Sequence, residues 1–131
     1  MTSDKRLVMS YIKSHKELIV WQKAMDLVVE IYRLTSLFPD EEKFGLVIQM
    51  RRAAVSIPSN IAEGYGRRSR KEYGRFYSIA YGSGLELETQ LIASKRVNMC
   101  AAEEFVKSEK LLEEVLKMLN SMLVRINSTK P

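Results

Sequence analysis

The stretch SIPSNIAEGYGRRSRKEYGRF, Ser56 to Phe76, sets a proline inside an apolar pattern and follows it with five basic residues between Arg67 and Arg75. Upstream the pattern runs Val47, Met50, Ala54, Ile57 and Ile61, a three-four alternation that predicts a helix with one buried face. Pro58 lies on that helix. It has no amide to donate and its ring crowds the carbonyl of Ala54, so a kink is expected there. Ser56, Ser59 and Asn60 are able to bond the backbone groups a kink frees, and Asn60 and Glu63 have capping-box spacing. Gly64 and Gly66 are expected to end the helix. Ser69-Arg70-Lys71-Glu72 then spells a capping box, in which hydroxyl and carboxylate satisfy each other's free amides, and this places the next helix start at Arg70.

Outward from this stretch the same periodicity recurs. Val20, Ala24, Leu27, Ile31, Leu34 and Phe38 make one apolar stripe, flanked by a second of Trp21, Met25, Val28 and Tyr32. Pro39 is expected to stop that helix, with Asp40 capping the next. After Ser69 the inward face reads Tyr73, Phe76/Tyr77, Ala80, Gly84, Leu87 and Leu91. A fourth helix, starting near Ala102, carries Phe105, Leu112, Val115, Leu119, Met122 and Ile126. Gly74, Gly82 and Gly84 should each cost about 1 kcal/mol in a helix interior, which close approach of another helix would offset. Four helices and short breaks predict an all-α fold, an antiparallel up-down-up-down four-helix bundle with its second helix kinked at Pro58. The bundle is expected over residues 15–128. Residues 1–14 read as a variable extension whose apolar residues are Leu7, Val8, Tyr11 and Ile12.

The 131 residues are 46% hydrophobic and 28% charged, a globular composition for one domain with a real core. The lack of a long apolar run and of a signal-peptide pattern leads to an expectation of cytoplasmic residence with no membrane contact. Net charge is +5, and its distribution is uneven. Between Arg51 and Arg75 there are seven basic and two acidic residues, while the rest of the chain carries equal numbers of each. The whole excess therefore lies in this segment, which favours an acidic partner there.

Catalytic parts are scarce. His15, the sole histidine, falls by the extension, where a solvated side chain is expected instead of a general base. One Cys and one His cannot supply the usual zinc ligands, and the Glu-x-x-His pair of a di-iron bundle does not occur. Glu86 and Glu88 sit about 200° apart around a helix. No enzyme, metal or cofactor is expected. Two other constellations stand out. Gln49, Arg52, Ser56, Ser59 and Glu63, with Asn60 beside them, form a polar stripe that either services the kink or serves as a groove or subunit contact. Arg67, Arg68, Arg70, Lys71 and Arg75, interleaved with Tyr65 and Tyr73, are a candidate nucleic-acid or polyanion site.

WQKA (Trp21–Ala24), FP followed by FGL, RRAAVSIPSNIAEG (Arg51–Gly64) and ELETQL (Glu86–Leu91) together resemble the bacterial family of proteins encoded in intervening sequences of 23S ribosomal RNA genes. The resemblance covers about residues 17 to 127. It implies an antiparallel bundle and assembly into a ring-like homopentamer, and it assigns no catalytic residues. Accessory proteins of diversity-generating retroelements share that bundle and bind nucleic acid and a reverse transcriptase. The expectation is a non-enzymatic, self-associating bundle that contacts RNA or another polyanion through the Arg67–Arg75 turn. The rival reading is an oligomeric protein-interaction scaffold with no nucleic-acid role.

Overall fold

A computed structural model of the chain describes residues 14–128. The expected extension, with Leu7, Val8, Tyr11 and Ile12, lies outside the described residues except for Ser14. Four helices follow one another, α1 (Ile19–Thr35), α2 (Leu46–Tyr65), α3 (Arg70–Arg96) and α4 (Val106–Ser128), with short 3-10 turns at His15–Glu17, Asp40–Glu42 and Ala102–Phe105. Among the described residues there is no strand. Each helix packs on its chain neighbours, and α1 closes the square against α4.

The apolar stripes read from the sequence become one core. Leu27, Ile31 and Leu34 of α1, Met50, Ile57 and Ile61 of α2, Leu87 of α3, and Val115 and Leu119 of α4 are all fully buried. Each such side chain contributes about 1.5–3 kcal/mol by leaving water. Cross-helix contacts order the pairs. Lys23 meets Glu114 of α4 at 3.3 Å while Arg33 meets Glu104, in the turn just before α4, at 3.0 Å, so later residues of α1 touch earlier positions along the α4 segment of the chain. Ser56 meets Ser83, and Gly64, a full two turns further along α2, meets Tyr77. Both contacts run the chain in opposite directions.

The boundaries follow local chemistry, and several differ from expectation. Asp40 opens only a three-residue turn, and α2 begins after Gly45. It then runs without interruption through Pro58, which is buried, and through Gly64 to Tyr65. Because the helix is not restarted, Asn60 has no free first-turn amides to cap. Its Nδ2 donates instead to the Ser56 carbonyl at 2.8 Å and the Ser56 hydroxyl at 3.0 Å. The Ser69 hydroxyl accepts from the Glu72 amide at 3.2 Å, and α3 starts at Arg70 as the capping pattern predicts. Its far end closes on Asn98, at φ 58°, with the Met99 amide donating to the Ser94 carbonyl and the Asn98 amide to the Lys95 carbonyl. This is the paired bonding of a left-handed C-terminal cap, with Asn in the place glycine more often takes. Gly84 meets the expected close neighbour, since a β-carbon there would lie 2.6 Å from Leu116 Cδ2.

Candidate nucleic-acid interface

The turn between α2 and α3 places the five predicted basic residues in three different situations. The Gly66 amide donates to the carbonyls of Ala62 and Glu63, and the Arg67 amide to Gly64, so the chain leaves α2 in a tight turn that swings Arg67 back over its own helix. There Arg67 Nη2 donates to Glu63 Oε2 at 2.7 Å, and its guanidinium lies 4.6 Å from the Phe76 ring centre. Arg67 is therefore a brace between helices before it is a ligand contact. Arg75 shares the same ring at 5.3 Å. Arg68 stands exposed on the turn.

Arg70, Lys71 and Arg75 come together along a groove of about 610 Å³ between the start of α3 and the end of α4. Spacing explains their side, because positions 71, 75 and 78 fall on one helical face. Leu123, Ile126 and Asn127 form the opposite wall, and Gly74 lies between. The sequence reading missed that wall. It arises some fifty residues later in the chain, and only the packing of α3 on α4 brings it there.

The polar stripe of α2 is divided between two hollows. Ser56 turns toward α3 with its Oγ 2.8 Å from Ser83 Oγ, and Asn60 bonds back to Ser56. Gln49, Arg52, Ser59 and Glu63 are exposed. Arg52 and Ser56 border a groove of about 550 Å³ shared with Tyr32, Arg51 and Val55, while Ser59 and Glu63 border a separate hollow beside Arg67. Across the first groove Arg51 sits 4.4 Å above the Tyr32 ring and donates from Nε to Thr35 Oγ1 at 2.9 Å.

His15 is not solvated as expected. It is half-buried, with its ring edge-on to both Trp21 at 5.1 Å and Tyr65 at 6.5 Å. These contacts anchor the entry to α1 on the last turn of α2. Burial, with the Glu104 carboxylate adding to it, pushes the Cys100 thiol above its usual range, which makes it a poor nucleophile near neutrality. Among the described residues no group of three His, Cys, Asp or Glu side chains is placed to hold a metal ion. None of the described helices is long and apolar enough to cross a membrane.

Comparison with known proteins places this geometry in context. The family model described as 23S rRNA-intervening sequence protein matches residues 16–121. No curated protein matches the chain. The fold is similar to the crystal structure of a protein with unknown function from the S23 ribosomal protein family of Bacteroides thetaiotaomicron VPI-5482, with a TM-score of 0.72 and 24% identity over 80% of this chain and 98% of that one.

Proposed function

Because the chain belongs to the 23S rRNA-intervening sequence protein family, we propose that it is a non-enzymatic, self-associating helical bundle that binds RNA or another polyanion through the basic rim from Arg67 to Arg75. The observation that carries this reading is the placement of charge. The segment Arg51 to Arg75 holds the whole +5 excess, and Arg68, Arg70, Lys71 and Arg75 of it are exposed at the α3 start. Like charges so close together repel one another. A phosphate chain relieves that repulsion and gains the entropy of released counterions.

Self-association is supported by the second stripe of α1. Met25 and Tyr32 stay exposed, together with Val29 and the neighbouring Val55 of α2. An apolar strip of this kind is what an interface between copies would cover. By the family resemblance the assembly is a ring of five.

The test is a titration of labelled ribosomal RNA fragments across a salt series. Affinity is expected to fall steeply, with a logarithmic slope of roughly −3.5 for single strands or −4.5 for duplex if five phosphates are neutralised. The triple variant Arg68→Ala, Arg70→Ala, Lys71→Ala should bind far more weakly, with a slope shallower by about 2 to 3. Equal and weak binding by both proteins would overturn the polyanion reading and leave the protein scaffold.

A further inference from the structure

We propose that the groove between the start of α3 and the end of α4 takes an unpaired RNA nucleotide, its base on the apolar floor and its phosphates on Lys71 and Arg75. This inference rests on the polyanion reading above and narrows it to single-stranded RNA. Cations alone do not distinguish the two forms of RNA, since both carry phosphates. The floor does.

Gly74 keeps the bottom of the groove low. A β-carbon there would lie 3.7 Å from Ile126 Cγ2, in ordinary contact, so bare backbone and Ile126 close the bottom of the groove and any larger side chain at 74 would have to rise into it. Leu123 and Ile126 are half-buried and offer an apolar surface. At the edges stand the Ser78 hydroxyl and the Asn127 amide, which supply the donors and acceptors that a base edge requires. The volume of about 610 Å³ falls within the roughly 300–1,000 Å³ of sites that hold small organic ligands.

A duplex fits this surface poorly. A-form RNA keeps its bases stacked inside and presents phosphates and 2′-hydroxyls outward. It would engage Lys71 and Arg75 and leave the floor uncovered. An unpaired base can lie flat on the floor while the backbone follows the cationic edge, the arrangement by which single strands are held without strong sequence preference.

The test compares a short labelled single-stranded RNA with the same sequence as a blunt duplex, by fluorescence anisotropy at moderate salt. The wild-type protein should bind the single strand about tenfold tighter, the gain expected of one base contact. Gly74→Leu, which fills the floor, should lose most of that preference, and so should Ser78→Phe, which fills the groove from an exposed position and keeps the test available if Gly74→Leu does not fold. Arg68→Ala, on the turn outside the groove, should weaken both RNAs alike. Equal, salt-sensitive binding of the two RNAs by the wild-type protein would overturn the groove assignment and leave the polyanion reading standing. Absence of binding to either would overturn both. A preference that survives both filled-groove variants would place the base elsewhere and overturn the assignment.

Discussion

A β-carbon on Gly64 would stand 2.7 Å from Cε1 of Tyr77 and 3.1 Å from Cβ of Phe76, so α2 and α3 meet with an aromatic ring against bare backbone. Neither side can yield easily, because Tyr77 is itself buried. Gly64→Ala is therefore expected to destabilise the bundle by about 1–3 kcal/mol, even though alanine improves helix propensity by about 1 kcal/mol. Gly82 provides the contrast, since nothing lies within 4 Å of the position its β-carbon would take. Gly82→Ala should stabilise by up to about 1 kcal/mol. Urea denaturation of the two variants checks the ranking, and the reverse order would refute the close contact.

The Glu30 carboxylate ties α1 to the start of α4. It is buried, accepts from Arg33 Nε at 2.9 Å and lies 3.6 Å from Lys107 Nζ. Arg33 in turn reaches the Glu104 carboxylate at 3.0 Å and its carbonyl at 2.9 Å. Glu30→Gln removes one charge from a set whose members lean on each other, at an expected cost of about 1–2 kcal/mol. The exposed pair of Glu113 with Lys117, at 3.7 Å, has no such support. Glu113→Gln should change stability by less than about 0.5 kcal/mol, and chemical denaturation of both variants compares them directly.

The core residues of all four helices were legible because each stripe repeats at helical spacing, and a stripe that long can be satisfied only by burial. The capping serine at Ser69 was equally plain, since its chemistry is local. What stayed hidden depends on partners distant in sequence. Gly64 read as a helix stop, but it is a contact site for a ring thirteen positions later. Arg67 read only as one cation of the candidate polyanion site, and its bracing by Glu63 and Phe76 depends on a ring in the next helix. Asn98 carried no warning that it would close α3, because a left-handed asparagine cap depends on backbone geometry that periodicity does not report.

Tyr77 gives the molecule an alkaline limit. Burial raises its phenol above the ordinary value, with Tyr73 and Tyr65 adding to the effect. The folded state therefore holds the proton to higher pH than the unfolded chain, whose tyrosines titrate near about 10. Its contribution to stability is complete below that value and is lost as pH rises through the folded pKa. The urea midpoint should accordingly fall above about pH 10, and Tyr77→Phe should fall less steeply over the same window. Parallel curves for the two proteins would show that Tyr77 is not the group responsible.

The apolar strip on α1 should mark where copies of the chain meet. Val29 is 65% exposed and Tyr32 44%, with Val55 at 40% beside them on α2, and none of the three contributes to the buried core. Val29→Glu should thus leave the helical fold and its melting intact, since the new carboxylate points into solvent in a single chain. In an assembly the same carboxylate would be trapped without a partner, at a cost of several kcal/mol. Light scattering should give the wild-type protein a mass of about 75 kDa, five times the 15.1 kDa chain, and Val29→Glu a mass near that of one chain. A wild-type mass of one chain would end the self-association proposal. An unchanged assembly in the variant would move the interface off α1, because a buried lone carboxylate could not be tolerated there.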